Sequence, residues 1–218
     1  MLLKKIENVF NEYPEVLYGF SNIDFSKYSE EYKCALVFAV PYSEMMTLET
    51  YNEEKFQAGI DAAREKIDEI IPKLENMFCK NKIKYYVTPV AQSSESELVA
   101  PFSFKYAAVN AGLGWIGKND VLITERYGPR QRLSAVLLDY DLPKGISIVE
   151  SRCSPQCNKC INVCPHKALT GFTWNINAKR REIINYKLCN EKRSMFIEKL
   201  GRKSSCGLCM VVCPFGVN

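Results

Sequence analysis

Eight of the ten cysteines in this 218-residue chain fall between residues 151 and 218, and they fall in a pattern. The run Cys153-x3-Cys157-x2-Cys160-x3-Cys164-Pro165 is followed by Cys189 and then by Cys206-x2-Cys209-x3-Cys213-Pro214. Each half therefore ends on Cys-Pro, set back by the same gap from closely spaced thiols. The N-terminus, Met1-Leu-Leu-Lys-Lys-Ile-Glu, is amphipathic and soon acidic, unlike a secretory leader. No apolar run approaches the roughly 18 residues of a membrane span. A soluble, cytoplasmic protein is expected, and a reducing compartment disfavours disulfides. Eight thiols packed into so short a tail then call for metal.

The two halves resemble the run of a bacterial-type ferredoxin with two 4Fe-4S clusters. In that arrangement a short loop wraps one cluster, the chain enters a helix, and the Cys before Pro reaches across to the other cluster. The resemblance implies one cluster on Cys153, Cys157, Cys160 and Cys213, and a second on Cys164, Cys189, Cys206 and Cys209. Two departures stand out. The first gap holds three residues, which a Ser154-Pro155 turn can absorb, and Cys189 lies 17 positions before Cys206. Two four-cysteine zinc sites are the alternative, since zinc favours Cys-x2-Cys pairs. Zinc leaves the tandem Cys-x3-Cys-Pro endings without a reason. Cys34 and Cys79 read as small hydrophobes in a buried strand and near a helix end. His166, the single histidine, stands just after Cys164-Pro165, where a helix start, a ligand and a proton donor are competing readings.

Upstream, hydrophobic periodicity predicts a helix over residues 1–12, ended by Tyr13-Pro14. The continuous apolar run 34–40 predicts a buried, central strand. A long helix is expected over 53–79, kinked or split at Pro72. Strands are expected at 84–88, 121–124 and 133–138, the last two around a turn near Gly128-Pro129. A loop is expected at 92–97. Pro101 can open a helix that continues from Phe102 to Ala111 and stops at Gly112. The expected fold is mixed α+β or α/β: an N-terminal α/β sandwich over residues 1–145, then a double 4Fe-4S ferredoxin-like module over 146–218.

Residues 111–119 read Ala-Gly-Leu-Gly-Trp-Ile-Gly-Lys-Asn. Gly112, Gly114 and Gly117 satisfy Gly-x-Gly-x-x-Gly, and Gly117-Lys118 nearly completes a phosphate loop, with Asn119 where Ser or Thr would hold magnesium. Both nucleotide motifs require a strand before the glycines and a helix after them. Here the expected order is reversed, which excludes both. Two readings remain: a backbone open to a large flat group, or a tight helix-to-strand turn with Trp115 in the core.

The Ala100-Pro101 pair, the glycine block and the double Cys-Pro tail, in this order, resemble the epoxyqueuosine reductase family, which is related to the reductive dehalogenases. The resemblance runs over roughly residues 30–214 and is weak before residue 90. It implies a cobalamin-dependent oxidoreductase in which electrons pass through the two clusters to a corrinoid near the glycine block. Ala111, Gly112, Leu113, Gly114, Trp115, Ile116, Gly117, Lys118 and Asn119 would then be cofactor-binding. The family's acidic proton donor sits three residues before the Pro matched by Pro101, and that position is Leu98 here. Glu97 is its acidic neighbour and the candidate catalytic residue, although adjacent strand residues face opposite ways. The chain stops four residues after Pro214, before the family's helical repeats, and so reads as a shortened member with a substrate other than tRNA.

A net charge of +4 is too mild to argue for nucleic acid. Lys179, Arg180, Arg181, Lys192, Arg193, Arg202 and Lys203 still cluster around the second set of cysteines. They read as a solvated face, a dock for an acidic electron donor such as a flavodoxin or ferredoxin, or phosphate contacts for RNA. Phe172, Trp174 and Ile176 alternate as a hairpin would. The sequence thus leaves three functions in play: a corrinoid and iron–sulfur reductase of a small-molecule or modified-nucleoside substrate, suited to anaerobic chemistry; a two-cluster electron carrier; and a zinc-stabilised RNA binder.

Overall fold

The fold is described from a computed structural model, for residues 1–89, 100–195 and 206–217. The chain forms two compact units, and neither is continuous in sequence. The first comprises residues 1–41, 63–113 and 131–147, and the second residues 42–62, 114–130 and 148–218.

The first unit is built on an antiparallel sheet. β1 (Leu17–Ser21), β2 (Cys34–Pro41), β6 (Gln131–Leu138) and β3 (Tyr85–Val87) lie in the order β1-β2-β6-β3. β2 pairs on both sides, with Val37 opposite Gly19 on β1 and Ala135 on β6. Cys34 through Val40 are all buried, which is why this strand lacks the polar alternation of an edge. Side chains alternate between the two faces of the sheet, so Phe38 and Val37 point opposite ways. Phe10 of α1 (Leu2–Asn11) lies 5.6 Å, centroid to centroid, from Phe38 and covers one face. α3 (Phe104–Asn110) covers the other: its C-cap Ala111 meets Gly19, directly opposite Val37. Ala107 and Ala108 are fully buried, and their small side chains let the helix lie close to the strands. The result is the expected sandwich.

α2 (Glu53–Lys80) runs through Pro72 as one helix. The proline was expected to kink or split it. Pro72 is solvent-exposed, so water can take the carbonyl that loses its donor, while Ile70 and Leu74 on the inner face stay fully buried. α3 begins three residues later than expected because Ser103 caps it, its hydroxyl accepting from the Tyr106 N–H at 3.4 Å. Cys34 is buried as expected. Cys79 is not: it sits exposed on the last turn of α2 with its thiol 3.4 Å from the Tyr85 hydroxyl, because Leu74 and Phe78 take the inner face.

In the second unit a two-stranded ribbon joins β4 (Trp115–Ile116) to β5 (Leu122–Ile123). The expected pairing of the strands around Gly128-Pro129 is corrected here: β5 pairs with β4, whereas β6 joins the sheet of the first unit. The turn closes on itself instead, through reciprocal Thr124 and Gly128 backbone bonds of 3.0 and 2.9 Å. The remaining short helices are α4 (Lys159–Val163), α5 (Arg180–Ile183), α6 (Tyr186–Ser194) and a final turn and a bit, Leu208–Val211. They give this unit little regular structure of its own. Two small apolar clusters supply its packing, one of Met46, Phe56, Ile60, Met210 and Val211, the other of Ala168, Leu169 and Ile184. Among the described residues no helix is long and apolar enough to cross a membrane.

Candidate iron–sulfur centre

The thiols of the tail lie on loops and short helix ends, and the loops are shaped by proline and by left-handed residues. Cys157 N–H bonds back to Ser154 O at 3.0 Å, so the Ser154-Pro155 segment turns as expected and takes up the extra residue in the first gap. α4 carries Cys160 and ends with Cys164 extended, because Pro165 cannot follow a helical residue without a clash. Pro165-His166 then forms a turn rather than a helix start, leaving His166 half-buried. In the second half, Cys206 and Gly207 both adopt positive φ, 54° and 78°, ahead of the final helix that carries Cys209.

The structure gathers the cysteines across the sequence halves. A cavity of about 150 Å³ is lined by Cys153, Cys157, Cys160 and Cys213 together, with Lys118, Arg152 and Phe215 among its other walls. Cys213 comes to it from the far half. The thiols also act on one another electrostatically. Burial pushes the Cys160 thiol up to about 11, and Cys153, Cys157 and Cys213 add to the rise. Burial also raises Cys189, with further contributions from Cys206 and Cys164. Cys209 is raised well above the ordinary thiol range by burial and then by Cys206, Cys189, Cys160 and Cys164. Buried thiolates that repel one another favour their protonated forms, and a cationic iron core would reverse that preference. Among the described residues no three His, Cys, Asp or Glu side chains close to the shell of a single metal ion. The donor chemistry, all thiol, fits iron–sulfur clusters.

The glycine block lies where a helix hands over to a ribbon. Trp115 is fully buried, and its ring meets Phe215 edge-on at 4.9 Å. Gly114 and Gly117 are glycines because the chain itself is close: a Cβ at Gly114 would fall 2.1 Å from Ile123 O, and one at Gly117 2.3 Å from Ile123 Cδ1. Gly114 through Asn119 are all buried, whereas Gly112 and Leu113 reach solvent. For a corrinoid, the fit of this block is therefore confined to Gly112 and Leu113. Lys118 and Asn119 face the cysteine loops instead. Lys118 Nζ donates to Ser154 O, Pro155 O and Cys157 O at 3.1, 3.0 and 3.1 Å. Asn119 Nδ2 donates to Cys209 O at 3.2 Å.

Several participants had no signature in the sequence. Arg130 Nη1 donates to Met210 O at 3.1 Å and to Cys213 O at 3.3 Å, and Nη2 donates to Phe215 O. Tyr51 donates its hydroxyl proton to Cys206 O. Glu97 and Leu98 lie outside the described residues, as do Arg202 and Lys203 of the basic cluster. Of that cluster, Arg180 is held by Asp120, Nε to Oδ2 at 3.1 Å, and lies over the Tyr186 ring. The positive charges of Arg193 and Lys192 act on Cys189 and Cys206 respectively. Trp174 is buried, and its segment pairs with residues 149–151, on the far side of the first cysteine run, rather than closing a local hairpin.

Comparison with known proteins defines the class first. Residues 152–216 match the family described as a 4Fe-4S double cluster binding domain. Over about half its length the chain is similar in sequence to epoxyqueuosine reductases. It is 31% identical over 120 residues to the epoxyqueuosine reductase of Pseudomonas aeruginosa, covering 53% of this chain and 32% of that protein. It is 28% identical over 150 residues to the tetrachloroethene reductive dehalogenase of Dehalobacter restrictus, covering 62% of this chain and 24% of that one. The chain thus spans about a third or less of the length of these relatives. A crystal structure of selenomethionine-labelled epoxyqueuosine reductase shares the fold over 99% of this chain and 66% of its own, with a TM-score of 0.63 at 18% identity.

Proposed function

We propose that this chain is an iron–sulfur oxidoreductase resembling epoxyqueuosine reductase, which moves electrons one at a time through two 4Fe-4S clusters toward a corrinoid that serves an unidentified substrate. The observation that carries the reading is the cavity lined by Cys153, Cys157, Cys160 and Cys213, in which a thiol from the second half joins three from the first. Those four would hold one cluster, and Cys164, Cys189, Cys206 and Cys209 the second. Clusters of this kind supply one-electron transfer, and a corrinoid, when bound, would supply the metal-centred reduction of substrate. The chain's own residues shape the site. Lys118, Asn119 and Arg130 fix the loops through backbone carbonyls, and Ile123 and Phe215 give the cavity apolar wall. The exposed Gly112-Leu113 edge is the part of the glycine block that a flat ring could approach. The basic residues Lys179, Lys192 and Arg193 suit docking of an acidic flavodoxin or ferredoxin donor.

The burial of Gly114–Asn119 favours a second reading, an electron-transfer protein without its own substrate. One preparation distinguishes the two. Protein purified without oxygen should carry about eight irons and eight sulfides per chain. If it also retains added cobalamin in stoichiometric amount, with a shifted cobalt spectrum, the reductase reading stands. Full iron with no retained corrinoid leaves the carrier. Absence of iron removes both.

A further inference from the structure

Lys118 and Arg130 are buried cations, 3% and 5% exposed, and among the described residues neither is paired with a carboxylate. An isolated charge in a protein interior is expensive unless something of opposite sign lies nearby. Each cation bonds only to backbone carbonyls; five of the six belong to the residues around one set of thiols, and the sixth, Met210 O, also adjoins Cys209 of the other. An ammonium has three N–H donors, and Lys118 spends them on Ser154, Pro155 and Cys157. Lys118 also lines the cavity of Cys153, Cys157, Cys160 and Cys213. Arg130 bonds Cys213 itself, together with Met210 and Phe215 on either side of it.

Among the described residues no other Lys or Arg is as deeply buried. The side chain that braces Cys209 is the neutral amide of Asn119, and Cys206 is braced by the Tyr51 phenol. The Glu53 carboxylate opposes charge at Cys206. Arg180, Lys192 and Arg193 do act on Cys189 and Cys206, but all three are partly solvated and water screens them. A buried charge acts through a lower dielectric and counts for more.

We propose that Lys118 and Arg130 are positioning residues that make the cluster on Cys153, Cys157, Cys160 and Cys213 the one of higher reduction potential. This rests on the two-cluster reading above. A cubane on four thiolates is anionic and gains further negative charge on reduction, so adjacent positive charge favours the reduced form. Electrons would then settle on this cluster, and the pair would conduct from the Cys164, Cys189, Cys206 and Cys209 side toward it.

The test is an anaerobic redox titration with dithionite, followed by electron paramagnetic resonance, with iron and sulfide counted on the same samples. Wild-type protein should show two one-electron couples. Lys118→Gln should lower the higher couple by about tenfold in its reduction equilibrium, about 59 mV, and leave the lower couple in place. Lys118→Arg, which keeps the charge, should stay near wild type. A higher couple that does not move in Lys118→Gln, or a lower couple that moves instead, overturns the proposal. If Lys118→Gln cannot hold iron, Lys118→Arg decides: intact clusters with an unshifted higher couple uphold the charge, whereas loss of iron or a lowered couple shows a mere loop brace and overturns it. Wild-type protein without two clusters would instead sink the reading beneath.

Discussion

Gly207 and Phe56 occupy adjoining space so tightly that a Cβ on the glycine would fall 2.1 Å from Cε1 of the ring. Gly207 also adopts φ of +78°, a conformation that disfavours any side chain. It lies between Cys206 and Cys209, in a loop packed on the cluster of Phe56, Ile60, Met210 and Val211. Gly207→Ala should cost roughly 2 kcal/mol or more, from the left-handed backbone and the displaced ring together. Melting temperature and iron content measured together should both fall, with about half of the iron lost if one cluster alone fails.

The grouping of the thiols gives a second expectation. Cys213→Ala should produce the same spectral loss as Cys160→Ala, though the two residues lie in opposite halves of the tail. Cys164→Ala should instead match Cys209→Ala. Pairing Cys213→Ala with Cys160→Ala should remove no more iron than either alone, because residues of one site are not additive. Iron per chain and the resonance of the remaining cluster read this directly. Matching losses within each sequence half would mean that the ligands do not cross.

Asp120 offers a test of the ribbon that carries Lys118 and Asn119. It is buried, adopts φ of +58°, and holds Arg180 at 3.1 Å. Asp120→Asn keeps the side-chain type most tolerant of that backbone and weakens the ion pair, so it should cost about 1 kcal/mol or less, because Arg180 is partly solvated. Asp120→Val should cost several times more, since a β-branched residue fits a left-handed backbone poorly. Chemical denaturation of the two variants side by side checks the ratio.

These expectations separate what spacing can reveal from what it cannot. The cysteine pattern, α1, α2 and the β2 strand were legible because each rests on local periodicity: seven consecutive apolar residues for β2, a helical stripe of Ile60, Ile67, Ile70 and Leu74 for α2. β1 was missed. Its five residues include Gly19, which is there because Ala111 packs 3.2 Å from where its Cβ would be, and that constraint comes from a helix far along the chain. The braces of the candidate centre were invisible for the same reason. Lys118 reaches carbonyls 36 to 39 residues away, and Arg130 reaches 80 to 85. The glycine block advertised a binding loop because its glycines and lysine mimic one. At Gly114, Gly117 and Lys118 the physical cause is the close approach of Ile123 and of the cysteine loops.

The Cys34 thiol gives a pH-dependent prediction that is independent of iron. It is fully buried on β2 with Sγ 3.2 Å from Tyr140 O, and burial pushes its pKa up to about 11, only partly opposed by the Lys144 charge. An unfolded cysteine titrates near 8.5. Between these values the unfolded chain releases a proton that the folded chain keeps, so stability declines as pH rises. The loss should begin near pH 8.5, level off near 11, and amount to roughly 3 kcal/mol. Cys34→Ala should lower stability by about 1 kcal/mol at pH 7, through the lost sulfur packing, and flatten the decline above pH 8.5. Denaturation midpoints of both proteins across pH 7 to 11 decide it. Equal slopes for the two would show that the alkaline sensitivity comes from other groups, and that the Cys34 thiol titrates in the fold as it does in water.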